Sequence, residues 1–247
     1  MHKSRLDIIE HRPYPPPNDR PWVMRQTWSK LLFAHWRIDQ ALLREHMPAA
    51  LEMDLFDGDC WIGVVPFRMS DVSARSVPAL PFVSNFLELN VRTYVRYKGK
   101  TGVYFFSLDA SNPLAVYGAR ASYSLPYHSA RMHLDTTSDG AINYRSKRSS
   151  NKDVTLDATY KPSGSVFHSR PGSLEEFLTE RYCLFVESRG SILCGDIHHV
   201  RWPLQLAEAQ FNVNTMTAPL GITLPKQPVV VHYAEEIHTV EWALTRM

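Results

Sequence analysis

Residues 82–132, FVSNFLELNVRTYVRYKGKTGVYFFSLDASNPLAVYGARASYSLPYHSARM, decide the fold, because strand, turn, strand, helix and strand follow one another legibly within them. From Phe86 to Tyr97 the residues alternate. Leu87, Leu89, Val91, Thr93 and Val95 fall on one face, and Glu88, Asn90, Arg92, Tyr94 and Arg96 on the other. A second strand is predicted over Val103 to Ala110. Between them, Lys98-Gly99-Lys100-Thr101 is read as a type II′ turn with Gly99 first of its two central residues, since glycine takes positive φ without a Cβ clash.

That turn sets a register in which Arg92 faces Ser107, Asn90 faces Asp109 and Tyr94 faces Phe105. On the reverse side Val91 would face Leu108, and Thr93 would face Phe106. The polar face then gathers Glu88, Asn90, Arg92, Ser107 and Asp109, with a carboxylate placed to accept a forked guanidinium bond. Two readings of this face stand side by side. It is either the wet side of an antiparallel sheet, or the polar floor of a pocket walled by Tyr94, Tyr104, Phe105 and Phe106.

Outside this stretch the chain has the length of one large domain or two small ones, and 44% hydrophobic residues among 247 can support a substantial core. A net charge of +2 provides no global field to attract nucleic acid or an anionic membrane, so neither is expected as a partner. Homo-oligomerisation is left open. Cys60, Cys183 and Cys194 sit in apolar runs and are read as packed thiols in a reducing compartment, the cytoplasm by default. No leader-like or membrane-spanning apolar run is seen, and a soluble protein is expected.

Residues 1–27 include HRPYPPPNDRP and read as an extended Pro-rich arm, with a single domain expected over 28–247. KLLFAHWRI is a first strand, and Asp39 caps a short helix, QALLREHM. ALEMDLF and DCWIGVVPFRM read as a hairpin about Asp57-Gly58-Asp59, followed by a long loop, SDVSARSVPALPFVSN. Ser111 or Asn112 caps a helix with Pro113 at its first position. SLPYHSARMHL, INYRSKR and DVTLDATY follow as strands, with Arg145, Lys147, Arg148 and Lys152 forming a solvated basic tip between the last two. PSGSVFHSRPGS is a second loop, and Ser173 caps the helix LEEFLTERY. CLFVES, SILCGDIHHVRW, PVVVHYAEE and HTVEWAL are strands, and QLAEAQF is either a strand or a short helix. Roughly ten strands and three or four helices give an α+β class, mainly antiparallel β.

There is no Gly-rich phosphate loop, G-x-S-x-G elbow, C-x-x-C pair or H-E-x-x-H helix. His198 and His199 are neighbours on a strand and must point to opposite faces, as must His128 and His133, so the eleven histidines suggest no metal site. No cofactor is expected. Tyr127 and His128 stand where a helix hands back to the sheet, a place that suits either a pocket-rim acid or base or ordinary packing.

The strings LLFAHW, ALEMDLFDGDCWIGVVPFRM, NFLELNVRTYV, KTGVYFFSLDA, SLPYHSARM, FLTERYCLF and IHHVRWPLQLAEA, in this order, resemble the bacterial YqjF-like family, domain of unknown function 2071. The likeness runs from about Trp28 to at least Gln210 and extends, more distantly, to the fold of acetoacetate decarboxylase. It implies a curved antiparallel sheet closing into a cone or barrel around an interior pocket, with a few short helices. It also moves the polar hairpin face from surface to pocket. In the decarboxylases a Pro-Lys-Lys segment carries the Schiff-base lysine; the segment resembling it here is Pro126-Tyr127-His128, and both lysines are missing. A phenol or an imidazole cannot form the iminium electron sink, so decarboxylation of acetoacetate is not implied. By this resemblance Glu88 would act as acid or base and Tyr127 and His128 as proton donors. Arg92 and Arg120 would bind a carboxylate, and Asn90, Tyr94, Ser107 and Asp109 would complete a ligand site. The function expected first is binding of a small anionic or carbonyl-bearing molecule. An enzyme of lyase, hydratase or isomerase type comes second, and an interaction module using the arm and the basic hairpin third.

Overall fold

The computed structural model describes residues 9–80 and 83–247, with the backbone alone for residues 119–123. Thirteen strands and three α-helices are seen among them, in the order β1 (Met24–Ile38), α1 (Gln40–Arg44), β2 (Glu52–Met53), β3 (Cys60–Ala74), β4 (Phe86–Tyr97), β5 (Lys100–Ala110), α2 (Pro113–Tyr123) and β6 (Tyr127–Thr136). There follow β7 (Ile142–Arg148), β8 (Thr155–Phe167), α3 (Leu174–Thr179), β9 (Cys183–Ser188), β10 (Ser191–His199), β11 (Leu204–Asn214), β12 (Val230–Glu241) and β13 (Thr245–Arg246).

All thirteen strands belong to one sheet, ordered β13-β10-β9-β5-β6-β7-β8-β11-β12-β1-β3-β4-β2. Two further pairings, β4 with β5 and β10 with β12, close it on itself. The closure is ring-like but split. One edge of β5 meets β9 at Val103 and Tyr104, and β6 from Leu108 to Ala110. Likewise β12 meets β11 near Tyr233, and β10 near Val240. The two β5 contacts are parallel and the other ladders antiparallel, as α2 requires when it carries the chain across from β5 to β6. Closure removes most of the free edges that so much strand would otherwise expose.

Both faces of the central strands are buried, which explains why β1 and β3 read as nearly continuous apolar runs rather than clean alternations. Leu32, Ala34 and Trp36 of β1 join Tyr144, Leu156, Tyr160 and Phe211 in one core. Leu31 and Phe33 point the other way and pack with Val65, Phe67, Met69 and Trp202. The helices end where capping chemistry places them. Asp39 accepts from the Ala41 amide at 2.9 Å, Asn112 from Leu114 at 2.9 Å and Ser173 from Glu176 at 3.3 Å.

The central hairpin has a different register from the expected one. Tyr97 pairs with Lys100, so the two-residue loop is Lys98-Gly99, with φ of 48° and 79°. Positive φ at both positions is the type I′ pattern, and a lysine in the left-handed region gives no sequence signal for it. This displaces the partners by two residues and keeps the faces, setting Arg92 opposite Phe105 and Tyr94 opposite Val103. A β-bulge then intervenes at Phe106, after which Val91 faces Ser107, Asn90 faces Leu108 and Leu89 faces Asp109. One extra residue reverses every later side chain. Ser107 and Asp109 therefore leave the face of Glu88, Asn90 and Arg92, and the expected polar cluster is divided between two surfaces.

Other differences are local. β2 pairs with β4 rather than with β3, and only a bridge between Phe56 and Asp59 closes the turn at Asp57-Gly58. β3 continues to Ala74 and β8 to Phe167, into stretches read as loops; Pro81 of the first lies outside the described residues. QLAEAQF is strand, and the two last apolar runs fuse into β12. Arg148 does not sit on a solvated tip, because it is buried against Asp109.

Candidate functional site

β4 supplies the floor of an interior cavity of about 290 Å³. Its residues Glu88, Asn90 and Arg92 face inward, together with Val103, Phe105 and Leu108 of β5. Phe33, Val65 and Phe67 from β1 and β3 make the wall, and Leu114, Ala115 and Gly118 of α2 lie over one end. Most of the lining is apolar, with a few polar groups aimed inward, the composition typical of small-molecule pockets.

At the α2 end, Glu88 is 3% exposed and its Oε2 accepts a 2.8 Å hydrogen bond from the Tyr127 hydroxyl. Burial pushes its carboxyl up to about 8. The Tyr127 bond opposes the rise, and the charges of Glu241 and Asp109 add to it. Glu241, at the end of β12, lines the same cavity and is also raised to about 8 by desolvation. It keeps some accessible surface, but surface within a protein-walled cavity hydrates a charge poorly, so desolvation governs. Burial thus shifts both carboxyls toward their protonated form.

At the other end the polar groups are cationic or neutral. Arg92 donates to the Leu178 carbonyl at 3.2 Å and lies over the Phe33 ring at 5.4 Å. No carboxylate pairs with it among the described residues, and its Nε is buried without a hydrogen-bond partner. Arg181, by contrast, is held by Asp54 at 2.6 Å and stacked over Phe177 at 4.3 Å. His199 is depressed to about 4 by burial, so its ring is neutral. Asn90, 5% exposed, has an unpaired Oδ1, and Trp202, 2% exposed, an unpaired indole Nε1.

Of the expected site residues, Glu88, Asn90, Arg92 and Tyr127 come together here. Tyr94 stands behind them, its hydroxyl donating to the Leu178 carbonyl at 2.8 Å and meeting His35 Nε2 at 2.6 Å. It positions the segment that Arg92 also grips. Asp109 lies on the reverse face in a forked ion pair with Arg148, and Ser107 is buried on that face too. His128 pairs with Asp109 across the parallel β5–β6 ladder, and alternation turns it away from Tyr127 and the cavity. Arg120 lies in α2, and its side chain is outside the described residues. Of the expected walls, only Phe105 lines the cavity; Tyr104 and Phe106 pack on each other at 5.5 Å in the reverse core.

Sequence reasoning missed Glu241, Arg181, His199 and Trp202. Nothing in their local sequence marks them, because β10, β12 and the segments before β9 and after β10 reach the cavity only through long-range packing. Among the described residues no three or more His, Cys, Asp or Glu side chains gather to hold a metal ion. None of their helices is long and apolar enough to cross a membrane.

Comparison with known proteins agrees with this architecture. The acetoacetate decarboxylase of Legionella pneumophila superposes with a TM-score of 0.62 over 96% of this chain and 93% of its own, at 16% identity. The enduracididine biosynthesis enzyme MppR, solved with pyruvate, gives 0.62 over 96% and 93% at 10% identity. An acetoacetate decarboxylase-like enzyme from Sphingomonas wittichii gives 0.62 over 92% and 94% at 13% identity. At such identities the likeness is one of fold. The uncharacterized protein YqjF of Bacillus subtilis is nearer, 46% identical over 228 residues, 92% of this chain and 94% of its own. The model of DUF2071, an uncharacterized conserved protein family, matches residues 25–238, and the chain belongs to that family.

Proposed function

We propose that the chain binds a small carboxylate- or carbonyl-bearing molecule in the β4 cavity, with Arg92 as its anchor. The observation that carries this reading is the set of unmet polar atoms on the lining: Arg92 Nε, Trp202 Nε1 and Asn90 Oδ1. Buried donors and acceptors rarely go unpaired, and each left so costs about 1–3 kcal/mol. Ligand oxygens set against Arg92 and Trp202 would satisfy both donors. The three buried thiols suit a reducing compartment, and we place the protein in the cytoplasm.

Thermal shift and calorimetry with pyruvate, acetoacetate and straight-chain carboxylates test the reading. A ligand at about 100 times its Kd stabilises the native state by about 2.7 kcal/mol and raises the melting temperature accordingly. Arg92→Gln should weaken binding by more than about tenfold, a change of about 1.4 kcal/mol. Unchanged affinity in that variant, or no shift with any of these compounds, would overturn the proposal.

A second reading is acid/base catalysis by Glu88 with Tyr127. A carboxyl raised to about 8 beside a phenol exchanges its proton near neutral pH, which suits a lyase, hydratase or isomerase step. Schiff-base chemistry does not fit, since no lysine lines the cavity among the described residues. Borohydride reduction with acetoacetate should leave no adduct, and a trapped adduct of substrate mass on any lysine would reverse that conclusion.

A further inference from the structure

The cavity has two unlike ends. Glu88 and Arg92 are four residues apart on β4, about 13 Å at about 3.3 Å per residue, and both side chains face inward. Glu241, carried by the pairing of β12 with β1 at Met24 and with β10 at Ile197, lines the same cavity as Glu88 and acts on its charge. Arg92 and Trp202 both line the cavity, and each packs on the Phe33 ring, at 5.4 and 4.9 Å. Between the ends the lining is Phe67, Phe105 and Leu108, with the buried Asn90 as a single polar step.

Resting on the binding reading above, we propose that the ligand is bipolar: an ω-amino carboxylate or a like molecule, its carboxylate on Arg92 and Trp202 and its ammonium between Glu88 and Glu241. Among the described residues this place is left open. Tyr127 occupies Oε2 of Glu88, and no hydrogen bond to Oε1 is seen among the described residues. The Glu241 carboxyl has neither ion pair nor hydrogen bond among the described residues. Two carboxyls sharing an apolar site resist ionising together, and a cation set between them removes both the repulsion and the lack of solvation. An ammonium carries three donors, enough for both carboxyls. A plain monocarboxylate would satisfy Arg92 and leave this end unmet.

The test is calorimetric titration with ω-aminohexanoate and ω-aminooctanoate against hexanoate and octanoate, on the wild type and on Glu241→Gln and Glu88→Gln. At least one amino compound should bind about tenfold tighter than its parent acid, and each variant should erase most of that advantage. Either variant suffices if the other melts too low to titrate. Should the acids bind and the amino group bring no gain, the bipolar ligand is wrong while the carboxylate pocket stands. Should neither series bind while pyruvate or acetoacetate does, the bipolar ligand is wrong and the carboxylate pocket stands; should none of these compounds bind, both proposals fall. An advantage that survives in both variants would overturn the assignment of the ammonium to these carboxyls.

Discussion

The two faces of the β4–β5 hairpin carry similar residues and treat them in opposite ways. On the reverse face Asp109 is 0% exposed, and Arg148, 4% exposed, grips it through bonds of 2.7, 3.1 and 3.2 Å. Nearby, the Tyr144 hydroxyl donates to the backbone carbonyl of Glu88 at 2.7 Å, tying β7 to β4. Among the described residues of the cavity face, Arg92 finds no carboxylate, Asn90 keeps a bare oxygen, and Glu88 has no ion pair, its carboxyl pushed up to about 8 by burial. Buried charge that is fully matched fixes how elements dock. Buried polarity left unmatched lowers stability and leaves interactions for a ligand to complete.

The largest effect expected from breaking this contrast is at Arg148. Arg148→Met leaves the Asp109 carboxylate buried without its partner, which should cost about 3–5 kcal/mol in urea denaturation. The double variant Asp109→Leu with Arg148→Met removes both charges and should recover most of the loss. A single variant that loses under about 1 kcal/mol would show that the pair does not hold β7 to β5.

On the cavity face the corresponding experiment is Glu88→Gln, and its sign depends on pH. The folded carboxyl near 8 holds a proton that the unfolded chain releases near 4.5. Its contribution is therefore greatest below about 4.5, and is lost as pH rises toward 8. Glutamine does not titrate, so the variant should gain on the wild type across that window by up to about 1.4 kcal/mol per pH unit, about 3 kcal/mol between pH 5 and 7. Parallel stability curves for the two proteins would mean that Glu88 is ionised in the native state.

The division between the faces was only partly legible in the sequence. The alternation from Leu87 to Arg96 placed Glu88, Asn90 and Arg92 together, and the caps at Asp39, Asn112 and Ser173 could be read because they obey local rules. Asp109 could not be placed, since its face depends on a single bulged residue at Phe106 with no glycine to announce it. Arg148 looked like surface among other basic residues, and only the docking of β7 beside β6 and β5 buries it. Glu241 lies far along the chain from Glu88 and shares its cavity through ring closure, a long-range fact that no window of sequence contains. Family resemblance pointed to the pocket, but not to the residues that β12 and β10 bring to it.

A smaller effect belongs to Tyr127. Tyr127→Phe removes the donor to Glu88 Oε2, and since that bond favours the charged carboxylate, Glu88 should rise further above 8. Carbon NMR of labelled glutamate reads the shift directly, and the lost hydrogen bond should cost about 1 kcal/mol. An unmoved Glu88 titration would remove Tyr127 from the acid/base reading.

The smallest effect sharpens the comparison most closely, because it lies one residue from the largest. Lys147 and Arg148 are neighbours on β7 and look alike in sequence, members of one basic run with Arg145 and Lys152. Alternation sends them to opposite sides: Arg148 goes inward to Asp109, while Lys147 is exposed, opposite Arg131 and Thr155 in the adjoining ladders. An exposed lysine outside any buried network contributes little, so Lys147→Ala should change stability by no more than about 0.5 kcal/mol and leave carboxylate affinity as it was. Equal losses from Lys147→Ala and Arg148→Met would mean that general charge on β7, rather than the forked contact with Asp109, stabilises the hairpin. A large difference between two adjacent basic residues follows only if the side of the strand, and not the charge, decides what each does.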